Sequence, residues 1–126
     1  MAKVEVSKKP LLRDQQRALH SYDTVSGVER AQQKDYKIAV SDLGANILRS
    51  GLCAAIASVQ RLGRRGDVLL GHLASAGVPG LENATRHCFA ERVRMLDADG
   101  YMLATRELLQ VATWLKRAVQ ATFEEA

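Results

Sequence analysis

Apolar residues recur at helical spacing through the first half of the chain. From residue 11 to about residue 33 they fall on one side of a helix, opposite a polar face, at Leu11, Leu12, Ala18, Leu19, Tyr22 and Val25. The next stretch has a single apolar face made by Tyr36, Val40, Leu43 and Ile47. This periodicity predicts two amphipathic helices. Gly27 weakens the first helix locally, and Gly51 provides a bend or a cap after the second.

Three shorter helices are predicted in the middle of the chain. The first is rich in alanine, and its apolar residues are Leu52, Ala55, Ile56, Val59 and Leu62. Asp67 is the expected N-cap of the second, because aspartate side chains accept hydrogen bonds from the first free amides of a helix. The third runs from about residue 81 to residue 96, and Glu82 and Arg86 are expected to form an ion pair one turn apart on its outer face.

The last predicted helix has the longest and widest apolar stripe. It contains Tyr101, Thr105, Leu108, Ala112, Leu115, Val119 and Phe123. Residues that favour strands are sparse, and the connections between helices are short. We therefore predict an all-α fold: a compact single-domain bundle of about six helices over residues 11–126, whose long C-terminal helix packs against the second and third. Residues 1–10, which are polar and carry three lysines, are predicted to be a flexible N-terminal arm.

Charge and cysteine content narrow the function classes only moderately. The 18 Lys and Arg residues exceed the 14 Asp and Glu residues, for a net charge of +4, which suits a polyanionic partner but is also common on solvated helices. Cys53 and Cys88 lack a CxxC spacing, and no signal-peptide pattern is present, so a reducing cytoplasm is expected. No run of about eighteen apolar residues is present, which argues against a membrane-spanning helix.

The groups that could bind a metal or catalyse a reaction do not converge. The histidines and cysteines lack zinc-ligand spacing, and His72 is expected in solvent because it lies off the apolar stripe of its helix. Asp97 and Asp99 flank a turn, where aspartate is expected as a helix cap. Cys53 lies among alanines, where a small buried residue is ordinary. We therefore predict no metal, no cofactor and no enzymatic activity.

A basic segment is the strongest candidate for a binding function. Arg61, Arg64 and Arg65 surround two glycines that allow the backbone to turn. Glycine-rich turns can expose amides to phosphate, and guanidinium groups bind phosphate with two parallel hydrogen bonds. A solvated basic loop is an equally good interpretation of the same residues.

Further cations lie near the ends of predicted helices. Arg49, Lys116 and Arg117 are placed where positive charge also favours the helix dipole, so their position alone does not indicate a ligand. Arg13 and Arg17 are like charges one turn apart, an arrangement that a polyanion or an acidic partner would relieve. We therefore regard Arg13 and Arg17 as candidates for a subunit interface.

Two sequence blocks occur together, one near the middle of the chain and one in its C-terminal helix. The C-terminal helix reads Tyr101-x-x-x-Thr105-x-Glu107-x-Leu109 and then Trp114-Leu115-Lys116-Arg117. Before the alanine-rich helix stands Leu43-x-x-x-Ile47-x-x-x-Gly51-Leu52. The pair spans roughly residues 36–123 and resembles the small subunit of type III-B (Cmr) CRISPR effector complexes, ribonucleoproteins of antiviral defence.

The resemblance implies a helical protein without an active site, stacked in several copies along a filament that carries CRISPR RNA. Its partners would be the backbone subunit, the large signalling subunit, neighbouring copies of itself, and the CRISPR and target RNA, with no membrane and no small-molecule substrate. Arg49, Lys116 and Arg117 are then candidate RNA-facing residues, and charge alone adds Arg61, Arg64 and Arg65. Contact with phosphate rather than with bases is expected, since pairing with the guide selects the target.

Two other functions remain compatible with the sequence. A helix-turn-helix DNA-binding regulator could use the helix that follows Asp67 together with a recognition helix bearing Asn83 and Arg86. A helical scaffold that binds only proteins would need the basic excess for solubility alone. Trp114 is either part of the core or a contact to a neighbouring subunit.

Overall fold

Six α-helices follow one another along the part of the chain that this computed structural model describes, residues 11–123. They are α1 (Arg13–Ser26), α2 (Arg30–Ser50), α3 (Leu52–Arg61), α4 (Arg64–Ala74), α5 (Phe89–Arg94) and α6 (Ala98–Thr122). No strand occurs among these residues, so the predicted all-α bundle with a long C-terminal helix is confirmed. None of the described helices combines the length and the apolar character that crossing a bilayer requires. The predicted arm, residues 1–10, lies outside the described residues.

The long helix α6 packs against α1 and α2, while α3 packs against α2, α4 and α5. The inner stripe of α6 is fully buried at Ala104, Leu108, Val111, Leu115 and Ala118. We expected the second and third helices as neighbours of α6. The structure confirms the second, but the other main neighbour is α1. Asp97 caps α6 as expected, because its carboxylate accepts a hydrogen bond of 2.7 Å from the Gly100 amide.

The boundary between the first two helices lies earlier in the structure than the sequence predicted. α1 ends at Ser26 and α2 begins at Arg30, whereas the sequence predicted one helix to about residue 33. Gly27 follows α1 as its C-cap, and the Val28 amide bonds back to the Val25 carbonyl at 3.1 Å. Val28 is buried, so the chain turns at this point in order to place an apolar side chain in the core. Gly51, with a φ of 91°, separates α2 from α3 as predicted.

The fourth and fifth helices differ from the prediction at their starts. α4 begins at Arg64 because Gly63 adopts a φ of 60°, which turns the chain sharply, so Asp67 lies inside the first turn and is not the N-cap. The fifth helix covers only Phe89–Arg94, and residues 81–88 form consecutive turns. Glu82 accepts a hydrogen bond of 2.8 Å from the Gly80 amide instead of pairing with Arg86.

The helix-turn-helix interpretation fails on the same segment. Its recognition helix was to begin with Asn83 and Arg86, but both residues lie in the turns before α5. With only six residues, α5 is also too short to read a major groove in the usual way. The described residues therefore lack the recognition helix on which that hypothesis depended.

Helix α1 is rotated from the orientation that its apolar residues predicted, although Val25 is buried as expected. Leu12 and Leu19 are 72% and 61% exposed, and Tyr22 also faces outward. The residues that α1 buries are Arg17, Ser21 and Val25. The cause is on α6, whose inner face carries the buried carboxylate of Glu107 toward α1.

Candidate functional site

The corner between α3 and α4 carries the three arginines of the predicted basic segment. Arg61 ends α3, Arg64 and Arg65 begin α4, and all three side chains are exposed. Because the three arginines belong to helices, the positions of their backbone atoms are fixed by the packing of α3 and α4. The corner, which we call the arginine corner, therefore offers three surface cations within five residues.

The two glycine amides of this corner are not available as a phosphate cradle. The Gly63 amide donates to the Gln60 carbonyl at 3.0 Å, and the Gly66 amide donates to the Gly63 carbonyl at 3.0 Å. Gly66 also packs directly against the carbonyl of Val59, which holds α4 close to α3. The glycines thus shape the turn, and anion binding at this corner would depend on side chains.

A cleft of about 170 Å³ lies between the arginine corner and α2. It is lined by Arg64 and Arg65 on one side and by Gln32, Asp35 and Tyr36 on the other. Asp35 places a negative charge in the cleft and so offsets part of its positive potential. The cleft locates the arginine corner beside the N-terminal half of α2.

Arg49 is far from the arginine corner. It lies in the last turn of α2 and is exposed, whereas the corner lies beside Asp35, fourteen residues earlier. At about 1.5 Å per residue, this separation is roughly 20 Å along the helix axis. The structure therefore does not bring Arg49 together with Arg64 and Arg65 in one patch.

Lys116, Arg117 and Trp114 lie on the outer part of α6. The Arg117 guanidinium is 4.8 Å from the centre of the Trp114 ring, a distance typical of a cation–π contact. The Trp114 indole N–H donates to the Asp14 carboxylate of α1 at 3.2 Å. Trp114 is half-buried at the edge of the α1–α6 contact, and Lys116 is exposed.

Arg13 and Arg17 both bind Glu107. Arg13 lies 2.8 Å from its carboxylate and Arg17 lies 3.3 Å from it, and Arg17 also donates to the Ala76 carbonyl. Arg17 is only 4% exposed and Glu107 only 1%. The expectation that Arg17 lies at a subunit surface is therefore wrong, because its acidic partner is in the same chain. Arg13 remains at the surface, and its role there stays a prediction.

Sequence reasoning missed Glu107 because its partners are about 90 residues away. One signal could have found it. Glu107 lies four residues before Val111 and one turn after Ala104, in phase with the buried stripe of α6. A carboxylate in an apolar stripe must be paired or neutralised, since burying an unpaired charge is costly.

Two histidine hydrogen bonds link α4 and its C-cap residue to α2 and α1. The Tyr36 hydroxyl is 2.7 Å from His72 Nδ1, and His20 Nε2 is 2.9 Å from the Ser75 hydroxyl. His72 was expected in solvent but is half-buried. Burial lowers its pKa to about 4, and repulsion from His20 acts in the same direction. Among residues 11–123, no three His, Cys, Asp or Glu side chains are grouped so that they could hold a metal ion.

This arrangement predicts that the fold loses stability in mild acid. The pKa of His72 is about 4 in the folded chain and about 6.5 when unfolded, so between these values the unfolded state binds more protons. Stability should fall as the pH drops from about 6.5 toward 4, and the loss should be complete below that. Urea unfolding at a series of pH values would measure this. His72→Gln should flatten the dependence, whereas the same change at exposed His87 should not.

Comparisons with known proteins agree on one family. The family model described as "CRISPR-associated protein (Cas_Cmr5)" matches residues 13–122. The chain is also similar to a CRISPR-associated Cmr5 family protein from Thermus thermophilus, known from an X-ray crystal structure, with a TM-score of 0.78 and 28% sequence identity. That match covers 90% of this chain and 100% of the other. No curated protein matches the chain.

Proposed function

Because this chain belongs to the Cmr5 family of CRISPR-associated proteins, we propose that it is the non-catalytic small subunit of a type III-B effector complex. In that complex it holds the backbone of target RNA and stacks between neighbouring subunits. The observation that carries the RNA-binding part is the arginine corner, three exposed guanidinium groups at the facing ends of two packed helices. Such groups bind phosphate without reading sequence, which suits a complex whose guide selects the target.

The ionisable groups that have partners within the fold support a structural role. Glu107 is bound by Arg13 and Arg17, and His72 is bound by Tyr36. The carboxylate of Asp97 is used to cap α6. Each of these groups has a partner that contributes to folding, so none is poised for proton transfer or nucleophilic attack.

The outer face of α1 supports subunit stacking. Leu12, Leu19 and Tyr22 point away from the core on one side of a helix whose other side is polar. Apolar side chains aligned on an outer helix face are typical of contacts to another protein. Arg13, which is exposed at the start of α1, and Trp114 of α6, which binds Asp14, are further candidates for contact with a neighbouring subunit of the complex. A scaffold that binds only proteins would use this face of α1, and its arginine corner would not contact RNA.

The RNA-binding role can be tested at the arginine corner. We expect Arg61, Arg64 and Arg65, when changed together to alanine, to weaken the binding of single-stranded target RNA by the assembled complex. The slope of log affinity against log salt should flatten by about two units, because each phosphate contact with a single strand contributes about 0.7. Filter binding across a salt series measures the slope.

The matched control removes three exposed arginines elsewhere: Arg86, Arg94 and Arg106. It lowers the net charge equally, so a purely general charge effect would flatten both slopes alike. Incorporation of each variant into the complex is measured in parallel. An unchanged slope for the corner variant in a fully assembled complex would remove the arginine corner from the RNA surface.

A further inference from the structure

A second basic surface lies in a groove between the N-terminal half of α2 and the C-terminal end of α6. The groove has a volume of about 600 Å³. Arg30, Lys34 and Lys37 line its α2 side, and Phe123 lines its α6 side. The sequence analysis did not include these three α2 cations among the candidate RNA-facing residues.

The three cations share one face of α2. They occupy positions i, i+4 and i+7, so they line up over about 10 Å of the helix axis. Like charges one turn apart on a helix repel one another. Arg30 and Lys37 also interact with other groups of the chain. Lys34 lies between them on the same face of the helix.

The wall of the groove opposite the α2 cations contributes an aromatic side chain. Phe123 is half-buried against Tyr36, with ring centres 6.1 Å apart, and gives the groove an apolar floor. Lys116 is exposed on α6, seven residues before Phe123, and does not line the groove.

The groove and the arginine corner flank the same half of one helix. Arg64 and Arg65 face the side of α2 that bears Gln32 and Asp35, while the groove lies on the side that bears Lys34. The two surfaces are therefore separated by about the width of a helix, roughly 10–12 Å. A flexible polyanion can span that distance without bending sharply.

The geometry points to this groove as a binding site for the sugar–phosphate backbone of single-stranded RNA, on the other side of α2 from the arginine corner. The inference rests on the proposed function and adds a second contact to it. Cations that alternate with hydroxyl and amide groups suit phosphate and ribose, and the Phe123 floor suits the apolar faces that such a strand exposes. A protein partner would need a matching acidic surface and is the competing outcome.

Lys34 is the best position for a test, since its change leaves the interactions of Arg30 and Lys37 in place. With the full chain assembled in the complex, Lys34→Gln should lower the salt slope for single-stranded target RNA by about 0.7, the contribution of one phosphate contact. Lys34→Arg should retain the slope. Arg94→Gln is the control that removes one exposed cation from another part of the surface.

Four outcomes separate the possibilities. A lower slope for Lys34→Gln, with Lys34→Arg and Arg94→Gln unchanged, supports the groove. If the arginine-corner variant flattens the slope while Lys34→Gln does not, the groove is overturned and the proposed function stands. If neither variant changes the slope, both are overturned. If Lys34→Gln impairs assembly but assembled complexes bind RNA normally, the groove contacts protein, which overturns the inference.

Discussion

Replacing Glu107 by leucine is expected to cost about 3–5 kcal/mol of folding stability, because it leaves the charge of Arg17 buried without a carboxylate. Arg17 is 4% exposed, and its remaining partner would be the Ala76 carbonyl. Its Nε already lacks a hydrogen-bond partner, so the site has little capacity to compensate. Chemical unfolding of the variant and the parent chain would measure the loss.

Arg13, Arg17 and Glu107 form one cluster, in which Arg13 is exposed and the other two are buried. This difference provides the controls. Arg17→Met should cost less than Glu107→Leu, since Glu107 would keep Arg13 at 2.8 Å. The double variant should recover part of the loss, because no buried charge then remains unpaired. Arg13→Ala removes only an exposed partner and should cost about 0–1 kcal/mol. A Glu107→Leu cost no larger than that of Arg13→Ala would show that the ion pair does not hold α1 to the bundle.

The cluster also explains how α1 can present apolar residues to a partner. Helices usually dock by burying their apolar stripe. Here the inner contacts of α1 are an ion pair, a hydrogen bond to Ala76 and the packing of Val25, which leaves Leu12 and Leu19 outside. Because polar groups form much of the contact between α1 and α6, the apolar side chains of Leu12 and Leu19 remain available for contact with another protein.

The helices predicted best are those whose apolar stripes are regular. The faces of α2 and α6, the break at Gly51 and the cap at Asp97 all follow from local spacing and side-chain chemistry. The orientation of α1 could not be obtained locally, because it depends on Glu107, which meets Arg17 only after the chain has folded. Residues 81–88 have helical composition, yet Gly80, with a φ of 89°, starts a run of turns that buries Leu81.

The sequence indicated a candidate binding surface only where several charged residues stand close together along the chain. The arginines of the α3–α4 corner are exposed, but the turn uses the glycine amides for its own hydrogen bonds. The groove beside Lys34 was missed because charges at i, i+4 and i+7 look like an ordinary solvated helix face. The concave shape of that face comes from the end of α6, which is distant in sequence, and no local pattern indicates it.

Gly66→Ala should destabilise the fold by about 1–3 kcal/mol, the range for forcing extra atoms into a packed contact. An added Cβ would overlap the Val59 carbonyl oxygen and would lie 3.1 Å from a Val59 methyl group. The oxygen belongs to the backbone of α3 and cannot swing aside, so α3 and α4 must move apart. Thermal and chemical unfolding would measure the change.

Gly71→Ala in the same helix is the matched control. A Cβ at Gly71 meets nothing within 4 Å, so alanine should stabilise the helix by about 0.5–1 kcal/mol. The two variants add the same methyl group to α4 and should therefore change stability in opposite directions. Because a displaced α4 carries Arg64 and Arg65 with it, Gly66→Ala should also weaken RNA binding while Gly71→Ala leaves it intact. Equal effects at the two glycines would mean that the close contact between α3 and α4 does not position the arginine corner.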